Sequence, residues 1–172
     1  GTLLAGLIAS AWGGLGPVYA TQLGLSTIEG ASMLAIAMIG GAIFQYPLGR
    51  ASDRMDRRRV MIVAGLIGIA ACALTIGFGV DNRIIFFASM LFLGTVLFPI
   101  YSLNVAHAND HAQPDEFVEV SSGLMITYGV ATMVGPVVTG VAMDAFGPHA
   151  LFAVIAICFA AYSGPVSYTH LR

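Results

Sequence analysis

The sequence predicts an all-α membrane protein built from six transmembrane helices. Of its 172 residues 58 % are hydrophobic and 9 % are charged, whereas soluble domains carry about 25 % charged residues. The mean hydropathy is +0.87. Six stretches lack arginine, aspartate and glutamate, and short charged connections separate them: 1–28, 30–49, 60–80, 84–109, 120–143 and 145–171.

Composition also excludes several classes of protein. The net charge of −2 and the lack of a basic stripe outside one short segment argue against a nucleic-acid partner. Cys72 and Cys158 both lie inside apolar stretches without metal-ligand spacing, so we expect buried small side chains and no metal or cofactor. No paired His, Asp or Ser groups lie deep in a stretch, so we do not expect an enzyme.

We expect the six helices at 1–19, 27–48, 59–79, 84–106, 114–143 and 148–163. In the first helix, Gly16 and Pro17 occupy the last turns, where they favour a bend. This segment is either a simple helix end or part of a cavity wall. Trp12 and Tyr19 are its large aromatic residues.

The second helix begins with a capping box, in which Ser26 and Glu29 hydrogen-bond each other's backbone amides. Glu29 is therefore expected to have a structural role. Gln45 is the most polar side chain of this helix, and it either hydrogen-bonds a substrate or contacts a neighbouring helix. The third helix has small residues and no strongly polar one, which favours a peripheral, lipid-facing position.

The second set of three helices is richer in prolines and polar residues. The fourth helix follows a turn at 81–83, and the fifth begins near Pro114 because proline is favoured in a first helical turn. The fourth helix carries Pro99, Tyr101 and Asn104, and the fifth carries Thr127, Tyr128, Gly135, Pro136 and Gly140. The sixth helix is expected to stop at 163, before a polar tail (164–172) that we interpret as truncated or non-native.

Five of the seven basic residues are concentrated between the second and third helices. This segment, 49–59, has the pattern G-x-x-x-D-R-x-x-R-R-R, with Gly49, Asp53 and Arg54 at its start and Arg57, Arg58 and Arg59 at its end. Arginines that flank spanning segments are retained on the cytoplasmic side. The segment is therefore expected to be cytoplasmic.

The two sets of three helices repeat each other. The first and fourth helices share L-x-P-[VI]-Y at 15–19 and 97–101, and the second and fifth share G-x-x-x-D at 49–53 and 140–144. Three helices per repeat is an odd number, so the second copy must cross the membrane in the opposite direction. The second G-x-x-x-D turn has no arginine, as expected for the opposite side.

The arginine motif resembles the loop between the second and third helices of each half in the major facilitator superfamily (MFS), a family of secondary transporters. Asp56 stands where this family usually has glycine. The 3+3 inverted repeat is the architecture of one such half. Segments 98–110 and 135–140 resemble the tenth and eleventh helices of a bacterial branch whose substrates are mostly unassigned. The resemblance therefore implies that 1–163 is a C-terminal half, and that its N-terminal half is missing from this sequence.

The resemblance also implies roles for individual residues. Cavity-lining candidates come from the first and fourth helices, with others from the helices beside them: Trp12, Tyr19, Gln45, Tyr101, Asn104, Thr127 and Tyr128. Gly16, Pro17, Pro99, Gly135, Pro136 and Gly140 are helix-bending candidates. Gly49, Asp53, Arg54, Arg57, Arg58 and Arg59 would form a gate, in which Asp53 holds nearby arginines and stabilises the outward-open state.

The implied function is secondary active transport of a small solute by alternating access, with export a candidate direction because the wall is uncharged. The alternative is a non-transporting receptor or scaffold that keeps the fold. The expected partners are the lipid bilayer, the other half of the same chain and a small-molecule substrate. The expected location is the bacterial inner membrane, with segment 50–59 and both ends of the fragment in the cytoplasm.

Overall fold

The computed structural model describes residues 1–79, 82–110, 112–113 and 115–168, with side chains as far as residue 164. The described residues form seven helices and no strands. The helices are α1 (Thr2–Gln22), α2 (Thr27–Arg54), α3 (Arg57–Phe78), α4 (Arg83–Leu97), α5 (Pro99–Asn109), α6 (Phe117–Phe146) and α7 (Ala150–Tyr168).

Helices α4 and α5 are two parts of one span. Phe98, which separates them, keeps helical dihedral angles (φ −78°, ψ −43°), and the interruption reflects the amide hydrogen that Pro99 lacks. Taken together, α4 and α5 cover Arg83–Asn109. Five segments are long and apolar enough to cross a membrane, namely α1, α2, α3, α4–α5 and α6, while the apolar stretch Ala150–Gly164 of α7 is shorter. The all-α fold with six helical segments is thus confirmed.

Several helix ends differ from the predicted ones. Helix α2 runs six residues further, to Arg54, and α3 begins at Arg57, so only two residues connect them. Charged residues are compatible with a helix that extends past the hydrocarbon into water. Asp56 makes the sharp restart possible, because its Oδ1 accepts a hydrogen bond from the Arg58 amide at 3.0 Å.

The ends of the last two helices differ as well. Helix α6 begins at Phe117, and the predicted start at Pro114 lies outside the described residues. It ends at Phe146 because Gly147 adopts φ +85°, a conformation that favours glycine. Helix α7 continues to Tyr168, beyond the predicted end at 163, so Gly-Pro at 164–165 does not stop it. Of the predicted tail, 169–172 lie outside the described residues.

The helices pack in the pattern that an inverted repeat requires. The repeat pairs the first span with the fourth, the second with the fifth and the third with the sixth. Accordingly, α1 packs mainly on α6 just as α2 packs mainly on α4, and α3 packs on α4 just as α7 packs on α1. Helices α3 and α7 pack on each other, where a pseudo-twofold axis places them. The two three-helix units are therefore related by pseudo-twofold symmetry.

Small residues allow the main helix pairs to approach closely. Gly94 of α4 lies against the carbonyl oxygen of Ala37 in α2, and an added Cβ would collide with it. Gly40 faces the backbone of Leu91 in the same way. In a bilayer, where lipid tails are as apolar as side chains, such close packing supplies much of the association energy.

Candidate functional site

A cavity of about 180 Å³ lies between α1, the α4–α5 junction and α6. Three of the predicted cavity residues, Trp12, Tyr101 and Tyr128, line it together, and Phe98 adds a fourth aromatic ring. The remaining lining residues are small or aliphatic. None of the lining residues is an acid, a histidine or an arginine, so the wall is aromatic and uncharged.

Ring contacts hold the aromatic side chains of this cavity. The Tyr101 and Tyr128 rings lie 4.7 Å apart between centroids at an interplanar angle of 61°, an edge-to-face arrangement that stabilises aromatic pairs. Trp12 packs on Phe152 of α7 at 6.2 Å, and it is only 3 % exposed. Its indole therefore has α7 on one side and the cavity on another.

Two other cavity candidates lie outside this space. Tyr19 is fully buried near the opposite end of α1, where its ring contacts Phe86 and Phe152, and its hydroxyl lies 3.4 Å from Nδ1 of His149. Asn104 is also buried, and its Nδ2 donates to the Ile100 carbonyl oxygen at 2.7 Å. Both side chains occupy positions in the packed interior of this unit.

The last two cavity candidates are not part of the aromatic cavity either. Thr127 is exposed on α6, and its hydroxyl donates to the Gly123 carbonyl oxygen at 2.8 Å. Gln45 lines a separate pocket of about 140 Å³ at the arginine end of the bundle, by which we mean the end with Arg50–Arg59. Pro99 lines the same pocket.

Some of the helix-bending candidates fall at helix–helix contacts. Pro99 divides the fourth span, and Pro17 and Pro136 lie inside α1 and α6. Gly16 faces Leu34 of α2, and a Cβ on Gly135 would collide with Ser10 of α1. The nearest side-chain atom that a Cβ on Gly140 would meet, at 4.0 Å, belongs to Leu15. Close contact between helices is therefore what Gly16 and Gly135 provide in this structure.

An ion-pair cluster at the arginine end joins α2, α3 and α5. The Arg57 Nε atom lies 2.8 Å from Asp110 Oδ2, and its Nη2 atom lies 3.6 Å from Asp53 Oδ1. The Arg57 side chain is 17 % exposed, against 47 % for Asp110 and 72 % for Asp53. The less solvated Arg57–Asp110 contact is therefore the stronger of the two.

The 140 Å³ pocket lies beside this cluster, and Gly49, Asp53 and Arg57 line it with Ser52. Ser52 is 3 % exposed, and its hydroxyl has no hydrogen-bond partner among the described residues. The structure thus brings five predicted residues to one pocket, namely Gln45, Gly49, Asp53, Arg57 and Pro99. Arg54, Arg58 and Arg59 form no side-chain ion pair with any described residue, and Arg50 donates to the Tyr46 hydroxyl at 3.0 Å.

Sequence reasoning missed Asp110 and Ser52. The connection after the fourth span is acidic, but acids there are also expected simply from the dipole of the helix that follows. The topology does point to Asp110, because alternating spans place this connection on the same side of the membrane as the arginines. An acid there can reach the arginine motif, and Asp110 does so.

A second ion pair lies at the opposite end of the bundle, away from the arginine cluster. Glu29 completes the predicted capping box, since its Oε2 accepts from the Ser26 amide at 2.9 Å and the Glu29 amide donates to the Ser26 hydroxyl at 3.3 Å. Its other carboxylate oxygen pairs with Arg83 at the start of α4. The structural role expected for Glu29 is confirmed, and it extends to tying α2 to α4.

Comparison with known proteins agrees with this architecture. The chain is 26 % identical over 156 residues to an uncharacterized MFS-type transporter of Yersinia pestis (strain Pestoides F). The identity is 25 % to the uncharacterized MFS-type transporter Ent638_1421 of Enterobacter sp. (strain 638), and 24 % to YcaD of Escherichia coli O139:H28, also an uncharacterized MFS-type transporter. Each alignment covers 91 % of this chain but 40 % of the relative, so the chain spans about two fifths of their length.

The family assignment follows from a second comparison, with a sequence model of a whole protein family. The sequence model described as the Major Facilitator Superfamily aligns with residues 1–165, which is nearly the whole chain. The match includes the arginine motif, both copies of the repeat and all residues of the aromatic cavity. The chain is therefore a multi-pass membrane protein that belongs to the Major Facilitator Superfamily.

Proposed function

We infer that the chain is the C-terminal six-helix half of a secondary active transporter, which moves a small solute by alternating access. The complementary half is a second six-helix unit of the same polypeptide, as the relatives' greater length suggests. In this arrangement the substrate binds between the two six-helix halves, and these halves rock around it. Export is the direction that the uncharged wall favours.

The observation that carries this proposal is the uneven burial of the spans. In the most apolar 18-residue stretch of each helix, the buried share is only 22 % in α2 and 17 % in α6, against 44 % in both α1 and α3. Each of the two helices packs along one face, α2 mainly on α4 and α6 mainly on α1. Both are left with broad uncovered apolar surface that another helical unit can cover. The symmetry relates these two helices, so a partner half would meet them as an equivalent pair.

The ion-pair cluster supports a gate at the arginine end. We assign this end to the cytoplasm, together with both ends of the chain, because arginines are retained there. Each observed ion pair between spans, Arg57–Asp110 and Glu29–Arg83, joins connections that this topology places on one side. In the proposed gate, Asp53 contacts Arg57 and, through it, favours closure of the cytoplasmic side.

Alternating access can be tested without knowledge of the substrate. Gly13 lines the aromatic cavity, and a Cβ on it would meet no atom within 4 Å, so Gly13→Cys introduces a thiol without a clash. In the complete protein with its other cysteines removed, we expect a membrane-impermeant thiol reagent to label this cysteine from either side of oriented vesicles. Gly77→Cys, at the end of α3 away from the arginines, has equal room and is expected to react from outside only.

The gate is tested in the same background. Asp53→Asn should shift labelling of Gly13→Cys toward the cytoplasmic side and reduce transport, while insertion into the membrane stays normal. Asp144→Asn, the matching position of the second repeat, is the control, since Asp144 has no ion pair among the described residues. Labelling from one side only would exclude alternating access and favour the receptor or scaffold. An unchanged ratio in Asp53→Asn would exclude the gate alone.

A further inference from the structure

The aromatic cavity brings four aromatic rings to one space of this unit. Trp12, Phe98, Tyr101 and Tyr128 come from three different spans and meet around one space. The Trp12 ring packs on Phe152, and the rings of Tyr101 and Tyr128 pack on each other. Rings that are already ordered lose little conformational freedom when a ligand binds, which favours affinity.

The chemistry of the wall selects against charged ligands. None of the lining residues has an acidic or a basic side chain. A carboxylate or phosphate in this space would lose its hydration without gaining a cationic partner, which is costly at membrane depth. An ammonium group would gain only the attraction of the ring faces. A neutral solute avoids both penalties.

Size and shape narrow the class further. An apolar cavity of about 150 Å³ in another protein accommodates benzene, so the space of 180 Å³ holds one aromatic ring with a small substituent. Aromatic ligands gain edge-to-face and offset contacts here that an aliphatic ring of equal size does not. The hydroxyls of Tyr101 and Tyr128 add hydrogen-bonding groups at the same wall.

We propose that this cavity is the substrate-recognition wall for uncharged aromatic solutes, and that it binds one ring of such a solute between Trp12, Tyr101 and Tyr128. The proposal rests on the proposed transport function for its role, but binding can be measured separately. A solute with two or more rings would place one here and the rest toward the partner half.

Trp12 provides the measurement, because it is the only tryptophan of the 172-residue chain. The chain is reconstituted in lipid vesicles and titrated with three nitroaromatic quenchers of equal ring size: 4-nitrobenzyl alcohol, 4-nitrobenzoate and 4-nitrobenzyl-trimethylammonium. Tryptophan octyl ester in separate, protein-free vesicles of the same lipid corrects for partitioning into lipid. We expect saturable quenching by the alcohol, with an apparent dissociation constant at least tenfold below those of both ions.

Substitutions place the bound ring within the structure. Tyr101→Leu and Tyr128→Leu each remove one ring, and loss of one aromatic contact should weaken binding of the alcohol about three- to tenfold. Tyr46→Leu is the matched control, because Tyr46 is 71 % exposed on α2 and does not line the cavity. Benzyl alcohol should displace the probe at least threefold better than cyclohexylmethanol.

The outcomes separate the possibilities. Tighter binding of either ion overturns the uncharged class, and equal displacement by cyclohexylmethanol overturns the aromatic preference. Quenching that never saturates, or that is the same in all three tyrosine variants, shows lipid partitioning only and overturns the site. These results leave the two-sided labelling of Gly13→Cys unaffected, so failure of this inference is distinguishable from failure of the transport proposal.

Discussion

Neutralising Asp110 should weaken the connection between the fourth span and the α2–α3 hairpin. Asp110 lies just after α5 and is the closest ionic partner of Arg57, at 2.8 Å. The substitution Asp110→Asn removes the charge but keeps the side chain's size and an acceptor oxygen. Any effect therefore reports the ionic part of the contact rather than lost packing.

The size of the effect follows from distance and exposure. Two unit charges about 4 Å apart attract by about 4 kcal/mol at an effective dielectric constant of about 20, but desolvation and side-chain ordering offset most of this at a surface. Arg57 is 17 % exposed and Asp110 is 47 % exposed, so we expect a net loss of about 1 kcal/mol, the upper end for such pairs. Asp53 is 72 % exposed and 3.6 Å from Arg57, so Asp53→Asn should cost only about 0.2 kcal/mol.

The assay is equilibrium unfolding of the 172-residue chain in mixed micelles at low and high salt. A loss of about 1 kcal/mol is about a fivefold change in the unfolding equilibrium. High salt should reduce the difference between Asp110→Asn and the unmodified chain. Combining Asp110→Asn with Arg57→Gln should give less than the sum of the two losses, because both remove the same pair. If Asp53→Asn costs more than Asp110→Asn, or if the double variant is additive, the assignment of Asp110 as the main partner is wrong.

Three further predictions use the same unfolding assay. Gly94→Ala should lower the free energy of unfolding by about 1–3 kcal/mol, because the new methyl collides with the backbone of α2. Gly129→Ala, with no atom nearby, should leave it unchanged or raise it by up to about 1 kcal/mol. Equal effects of the two substitutions would contradict the close approach of α4 to α2. Asp56→Ala should cost about 1 kcal/mol through loss of the α3 cap and Asp56→Gly only a few tenths, so similar losses would argue against capping. Glu29→Gln removes the pair with Arg83 and keeps an acceptor for the cap, so it should cost at most about 1 kcal/mol, and a loss that salt does not reduce would contradict an ionic role.

The number and order of the spans could be predicted because lipid imposes a simple rule. Helices without charged residues and about 20 residues long are the solution for a chain that must satisfy its backbone in hydrocarbon. The helix ends could not be predicted as well, because that rule stops at the membrane surface. Helix α2 continues through the charged residues to Arg54, and local capping by Asp56 decides where α3 starts.

The candidate cavity was predictable in part, for a similar reason. The resemblance to the family implies which helices face the centre, and Trp12, Tyr101 and Tyr128 do meet. It did not give the rotation of each helix about its axis. Asn104 lies three residues after Tyr101, so it is turned by about 60° and is buried. Tyr19 shares a face with Trp12, but two turns further along that face Phe86 and Phe152 cover it.

The ion pairs divide the unit into parts held by different forces. Among the described residues, the fourth span is tied to the α2–α3 hairpin at both ends, by Glu29–Arg83 at one and Arg57–Asp110 at the other. The contact of α1 with α6 has no ion pair among these residues, and close approach at Gly6 and Gly135 holds it instead.

This difference bears on how such a unit would move. Sliding of the fourth span along its axis would break an ion pair at one end or the other, so we expect α2, α3 and α4–α5 to move together as one block. Phe98 and Tyr101 of the cavity belong to this block, whereas Trp12 and Tyr128 belong to the α1–α6 pair. The cavity therefore lies on the boundary between an ionically fixed part and a part held by packing alone. A solute bound there would contact both parts of this unit, so its binding would favour the arrangement of the two parts in which these contacts are most complete.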